Sequence, residues 1–94
     1  SDVYKERREL VVENLKELDF IIQESDATMF VWAKLPEIFN KDSLKFSLDI
    51  LDKSNVAVSP GVGFGKFGEG YIRIALVENK QRIRQAMKNI KAAL

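Results

Sequence analysis

The 94-residue sequence contains no cysteine and no histidine. Without cysteine it forms no disulfide and no thiolate metal site, which is typical of a protein in a reducing cytoplasm. Without histidine it has no imidazole ligand or base, so zinc sites, Ser-His-Asp triads and Cys-His pairs cannot be built from this chain alone. We therefore expect a cytoplasmic protein without a metal centre of its own.

Long apolar runs and an excess of one charge are also missing. No run approaches the roughly 20 apolar residues that cross a bilayer, and no signal peptide opens the sequence. Fifteen Lys and Arg against fourteen Asp and Glu give a net charge of +1, so no broad electrostatic attraction to nucleic acid or an anionic membrane is expected. The carboxylates are scattered over polar helix faces, and none forms an evident acid–base pair. A self-contained enzyme is not expected.

The composition, 46% hydrophobic and 31% charged, is that of one globular domain. Apolar periodicity and turn residues predict seven elements. The predicted helices are Ser1–Leu18, residues 44–53 and the segment that Asn79 caps, and the predicted strands are residues 20–22, Met29–Leu35, Val56–Val58 and Tyr71–Val77. The order α-β-β-α-β-β-α predicts an α+β fold, with helices covering a mostly antiparallel sheet.

The two terminal helices each show one apolar stripe. In the first helix, the stripe consists of Tyr4, Leu10, Val11, Leu15 and Leu18. In the last helix, it consists of Ile83, Ala86, Met87, Ile90 and Leu94, and Met87 is expected in the core. The polar face of the last helix is basic (Lys80, Arg82, Arg84, Lys88, Lys91) and is interpreted as solvated, with binding of an acidic partner as the alternative.

Two other segments are ambiguous. Residues 44–53 fit a strand by alternation and a helix by the spacing of Leu44, Leu48 and Leu51, and the capping residues on either side favour the helix. In the strand Met29–Leu35 both faces are largely apolar, which predicts a central strand. Trp32 in that strand is expected in the core, with ligand stacking as the alternative.

All five glycines lie between Val56 and Val77. Residues 63–68 match G-x-G-x-x-G, but a strand follows where a dinucleotide-binding motif needs a helix. A kinase-type loop does join two strands, yet no second kinase motif follows and the chain is too short. The stretch is therefore predicted to be a mobile connection between strands.

Arg73 is the one charged residue in the run Tyr71–Val77. It shares a strand face with Tyr71 and the small Ala75, so its guanidinium has room to bind a carboxylate or phosphate through two N–H groups. The alternative is an edge-strand arginine that pairs with a local Glu or lies in water. The residues alone leave both interpretations open.

The segment Val56–Leu76 resembles the C-terminal signature of class I/II (fold-type I) pyridoxal-phosphate-dependent aminotransferases. That signature is Pro-Gly, then a Phe-Gly loop, then a strand with an arginine, and this chain has Pro60-Gly61, Phe64-Gly65, Gly68-Glu69-Gly70 and Tyr71–Leu76 in those places. Upstream, Ala27–Trp32 followed by Leu35-Pro36 resembles the first strand of the small domain, and Ser43–Leu51 resembles its following helix. The run Ala27–Lys34 is most similar to the diaminopimelate and alanine aminotransferase branch.

The resemblance implies that Arg73 binds the substrate α-carboxylate and that Phe64 and Gly65 belong to an active-site loop. It also implies that this chain is a fragment of a longer enzyme, because the cofactor-binding lysine and phosphate-binding residues of the family belong to a large domain without counterpart here. Pyridoxal phosphate, an amino acid or 2-oxo acid substrate, the large domain and a homodimeric partner are expected of the full-length enzyme. The fragment alone is expected to be inactive and to bind no cofactor.

Two other functions remain open from the sequence. One is a free-standing α+β module that binds an amino acid for regulation, without catalysis, through the same Arg73. The other is an interaction domain that uses Lys88 and Lys91 of the basic last helix.

Overall fold

The computed structural model describes residues 2–23, 29–39 and 42–94. Its helices are α1 (Asp2–Glu17), α2 (Ser43–Ser54) and α3 (Lys80–Ala93), and its strands are β1 (Ile21–Gln23), β2 (Phe30–Lys34), β3 (Ser59–Pro60) and β4 (Tyr71–Ala75). Short 3₁₀ turns cover Glu37–Phe39, Gly61–Phe64 and Lys66–Gly68. This order confirms the predicted α+β succession. None of these helices is long and apolar enough to cross a membrane.

The four strands form one antiparallel sheet in the order β1-β2-β4-β3. Strands β2 and β4 therefore occupy the interior of the sheet, as the two apolar faces of β2 predicted. Arg73 on β4 stands opposite Trp32 on β2 and opposite Ser59 on β3. Because β4 is paired on both sides, the interpretation of Arg73 as an edge-strand residue is wrong.

The helices cover one face of the sheet, and the core lies between them. Alternate strand residues such as Val31, Ala33, Ile72 and Ile74 point into it because side chains alternate across a strand. The helices contribute a second set of fully or nearly buried residues: Val11, Leu15, Phe46, Ile50, Ile83, Met87 and Ile90. The predicted stripes of the two terminal helices are confirmed, except that Leu94 is exposed.

Helix α2 begins and ends where the sequence predicts. Asp42 is its N-cap, and its side chain accepts a hydrogen bond from the Lys45 amide at 3.0 Å. Asn55 follows the last turn in the left-handed conformation, with φ of 62°, a conformation that asparagine tolerates better than most residues. Asn79 caps α3 in the same way as Asp42 caps α2, through the Arg82 amide at 2.9 Å.

The face that α2 buries differs from the prediction. Phe46 and Ile50 are buried, together with Ser43 and Ser47, whereas the predicted stripe of Leu44, Leu48 and Leu51 is exposed. Phe46 packs edge-on against Phe20 and Phe39, with ring centroids 5.7 and 4.9 Å away. These aromatic contacts fix the rotation of the helix, because a large ring buries more apolar area than a leucine side chain.

The third strand also differs from the prediction. The strand is Ser59–Pro60, not Val56–Val58. Val56 and Val58 pack against the core from an irregular segment, and pairing with β4 begins only where Ser59 faces Arg73. Pro60 is the last residue of this strand, a place where a residue without an N–H is tolerated because β3 is an edge strand. The polar residues Gln23–Asp26 also predict a turn after the first strand, and all of them except Gln23 lie outside the described residues.

Candidate functional site

The candidate site is on the sheet face that none of the described helices α1–α3 covers. Residues alternate between the two faces, so this open face carries the strand residues that are missing from the core: Ile21, Gln23, Phe30, Trp32, Lys34, Ser59, Tyr71, Arg73 and Ala75. Tyr71 and Ala75 share this face with Arg73, as predicted. Trp32 is half-buried on it and is not part of the core, so the core interpretation of Trp32 is wrong. The physical reason is that both faces of β2 are apolar, and only the helices decide which one becomes the core.

Arg73 lies between two aromatic rings. Its guanidinium carbon is 4.2 Å from the centroid of the Phe30 ring and 4.1 Å from that of the Phe64 ring. Both distances are within the range of cation–π attraction, which contributes about 0.5–2 kcal/mol per pair depending on solvent exposure. Phe30 comes from the neighbouring strand and Phe64 from the glycine-rich loop. The guanidinium is therefore held by one ring from the sheet and one ring from the loop.

The Nε of Arg73 is buried and has no hydrogen-bond partner among the described residues. No ion pair among the described residues includes Arg73. The pairs that they form are Lys45–Asp49, Lys80–Glu6, Arg82–Glu78 and Lys91–Glu17. A buried donor without a partner costs about 1–3 kcal/mol. Such a donor in a native fold calls for an explanation, and a ligand that binds it is one.

The second aromatic contact of the loop is with Trp32. The Phe64 and Trp32 rings meet edge-on, with centroids 5.3 Å apart. Gly65, the next residue, has a φ of 120°, which residues with a side chain rarely adopt. The structure thus places Phe64 against Arg73, two of the three site residues predicted from the sequence. The third, Gly65, follows Phe64 in the loop. Phe30 was not predicted as a site residue, although its place two residues before Trp32 puts it on the same face.

The loop is anchored to the N-terminus of α2. The Ser43 amide donates to Oε1 of Glu69 at 2.6 Å, and the Gly70 amide donates to the same oxygen at 3.1 Å. The Ser43 hydroxyl in turn accepts from the Val62 amide at 3.2 Å. Ser43 is fully buried. Both ends of the loop are therefore tied to one residue of the helix, a contact across 26 residues of sequence that no local pattern indicates.

The arrangement of the loop does not fit the phosphate group of pyridoxal phosphate, the cofactor that the family resemblance implies. Amides in this segment donate to the loop itself or to its anchor: Gly65 to the Val62 carbonyl, Gly68 to the Gly65 carbonyl and Val62 to Ser43. A phosphate-binding loop directs such amides at its ligand. No group of three or more acidic, His or Cys side chains in the described ranges is placed to hold a metal ion.

The basic face of α3 is partly neutralised. Lys80 lies 3.7 Å from Glu6, Arg82 3.8 Å from Glu78 and Lys91 2.5 Å from Glu17. Two of these pairs join α3 to α1. The contacts indicate that at least part of the basic face supports the packing of the terminal helices, which weakens the case for it as a docking surface.

Comparisons with known proteins identify the family. The family model "Aminotransferase class I and II" matches residues 1–90. The chain is 51% identical to the LL-diaminopimelate aminotransferase of Natranaerobius thermophilus, over 93% of this chain and 22% of that protein. It is 44% identical to the glutamate-pyruvate aminotransferase AlaC of Escherichia coli K12, over 98% of this chain and 23% of that one.

Solved structures agree with the sequence relatives. The fold matches the aromatic aminotransferase from Pyrococcus horikoshii with a TM-score of 0.88 and 31% identity, over 97% of this chain and 24% of that one. It matches the L,L-diaminopimelate aminotransferase of Chlamydomonas reinhardtii with a TM-score of 0.85 and 28% identity, over 98% of this chain and 22% of that one. The chain thus spans about a quarter of the length of the relatives that it matches. It belongs to the class I and II aminotransferases and corresponds to the small domain of those enzymes.

Proposed function

We propose that this chain is the small domain of a longer pyridoxal-phosphate-dependent aminotransferase, and that Arg73 binds the α-carboxylate of the amino acid or 2-oxo acid substrate. The observation that carries the proposal is the guanidinium on the open sheet face, about 4 Å from the Phe30 and Phe64 rings, with a buried Nε that has no partner in the described part of the chain. Family membership and the resemblance of the Tyr71–Leu76 strand to the arginine-bearing strand support the same role.

The geometry suits a planar anion. Two aromatic rings lie about 4 Å from the guanidinium carbon, and the Nε has no partner among the described residues, so we take the N–H groups as the route by which a ligand approaches. A carboxylate binds a guanidinium in its plane through two parallel hydrogen bonds. Each charge-assisted bond contributes roughly 1.5–3 kcal/mol, and a fixed carboxylate orients the bonds at the α-carbon for reaction.

The remaining parts of the enzyme are proposed to come from outside these 94 residues. The large domain of the same polypeptide would supply the cofactor site and the catalytic lysine, and the full-length enzyme would be a homodimer. The open sheet face, with Phe64 and Gly65 at its rim, would lie at the substrate entrance, where the loop moves as the small domain closes. The chain alone would neither bind the cofactor nor transaminate.

Substitution of Arg73 by lysine in the full-length enzyme tests the proposal. A lysine keeps the charge but loses the two-pronged geometry, so Arg73→Lys is expected to lower kcat/KM by roughly one to two orders of magnitude. Arg84→Lys, on the exposed face of α3, is the matched control and should leave kcat/KM unchanged. Near-normal turnover of the Arg73→Lys enzyme would refute the carboxylate-binding role.

Calorimetry on the 94-residue chain separates the proposal from a regulatory binding module. A small domain that needs its large domain should give no heat of binding with amino acids. Tight binding without cofactor, abolished by Arg73→Ala, would instead establish the module.

A further inference from the structure

The position of Phe64 depends on contacts far from the open face. Phe30, the other ring on Arg73, is held by the strand β2. Phe64 sits on a 3₁₀ turn, is half exposed, and touches the sheet through Trp32 and Arg73. Something must therefore fix the loop if Phe64 is to stay on the guanidinium.

Three contacts fix the base of the loop. Gly61 and Gly68 pack backbone to backbone, so closely that a Cβ on either would overlap the carbonyl of the other. The Ser43 hydroxyl accepts from the Val62 amide, which is in the turn that carries Phe64. Glu69 accepts from the Ser43 and Gly70 amides, and so ties the start of β4 to α2.

The carboxylate of Glu69 is well placed for this task. It binds the amide of the first residue of α2, where the helix dipole favours a negative charge. The Ser43 amide belongs to the first turn of the helix, whose amides have no partner within the helix. Glu69 thus joins α2 to the end of the glycine-rich loop, directly before β4 and four residues before Arg73.

We infer that Glu69 and Ser43 are positioning residues for substrate binding: they hold the loop so that Phe64 stays on Arg73 and keeps the guanidinium in the orientation that receives the carboxylate. The inference rests on the proposed role of Arg73. Neither residue needs to touch the substrate, and neither contacts the Arg73 guanidinium as the Phe30 and Phe64 rings do.

The test uses the full-length enzyme with Glu69→Ala. We expect KM for the amino-acid substrate to rise about tenfold, the size of one lost charge-assisted contact, with kcat little changed. In a crystal structure of this variant the 4.1 Å contact between the Arg73 guanidinium and the Phe64 ring should be lost. A merely structural role would lower stability without this selective rise in KM.

Three further variants sharpen the test. Glu69→Gln keeps an oxygen acceptor and should recover most of the affinity. Ser43→Ala removes only the bond to Val62 and should raise KM in the same direction by less. Glu78→Ala is the matched control, because Glu78 also lies close to β4 in sequence, after its end rather than before its start. Among the described residues its ion pair is with the exposed Arg82 at 3.8 Å, and the KM of this variant should be unchanged.

Only the joint result supports the inference. If the Phe64 contact persists in Glu69→Ala, or if it is lost while KM stays the same, Glu69 does not position the site. Either result would leave the proposed function standing as long as Arg73→Lys remains strongly impaired. Near-normal turnover of the Arg73→Lys enzyme would refute both the proposed role of Arg73 and the inference about Glu69 and Ser43.

Discussion

Gly61 and Gly68 lie back to back at the base of the loop that carries Phe64. A Cβ added to Gly61 would lie 2.0 Å from the Gly68 carbonyl oxygen, and one added to Gly68 would lie 2.1 Å from that of Gly61. Such distances are far inside van der Waals contact, and the obstacle is backbone rather than a flexible side chain. The glycines are therefore required at these two positions for close packing.

This contact predicts different costs at two neighbouring glycines. Gly61→Ala is expected to lower the free energy of unfolding by at least about 3 kcal/mol, because the two backbone segments that meet at Gly61 and Gly68 must move apart. Gly63→Ala is the control: no atom lies within 4 Å of its added Cβ, so we expect a neutral effect or a gain of up to about 1 kcal/mol. Urea unfolding of both variants measures the difference. Equal costs would contradict the packing.

The rotation of α2 predicts a second contrast. Ile50 is 1% exposed and Leu48 is 57% exposed. Ile50→Ala should cost about 2–5 kcal/mol of stability because it leaves a cavity in the core, whereas Leu48→Ala should change stability by less than about 0.5 kcal/mol. The same unfolding measurement decides, and a larger cost at Leu48 would mean that the helix buries the opposite face.

Two of the three buried serines of α2, Ser43 and Ser47, predict a third contrast. The Ser43 hydroxyl binds the Val62 amide, while the Ser47 hydroxyl is buried without a partner in the described part of the chain. Ser47→Ala removes an unsatisfied group and should stabilise the fold by about 1 kcal/mol, whereas Ser43→Ala should destabilise it by a similar amount. Thermal unfolding measures both changes. A loss of stability in Ser47→Ala would show that its hydroxyl has a partner.

The terminal helices could be predicted from the sequence because each has a single apolar stripe. Helix α2 has two: Phe46 and Ile50 are as well spaced for a helix as Leu44 and Leu48. The capping residues therefore predicted the helix, but periodicity did not predict its buried face, which the contacts of Phe46 with Phe20 and Phe39 decide. Strand β2 is ambiguous in the same way, because both of its faces are apolar. Trp32 was therefore predicted to lie in the core, although it lies on the open face.

The site was predicted as far as local signals reach. Arg73 was found because it is a lone charge in an apolar strand, and the family resemblance added Phe64 and Gly65. The anchor formed by Ser43 and Glu69 could not be found in this way, because its partners are 26 residues apart and neither belongs to a recognisable motif. Long-range hydrogen bonds of this kind become visible only when the chain is folded.

The alternation of side chains along β4 separates residues of the core from residues of the open face. Ile72 and Ile74 serve the core, and the alternate residues, Tyr71, Arg73 and Ala75, face outward on the open side. An outward residue can change without opening a cavity, so binding preference can diverge while the scaffold is retained. The likeness of one scaffold to relatives named LL-diaminopimelate, glutamate-pyruvate and aromatic aminotransferases is what such independence would produce.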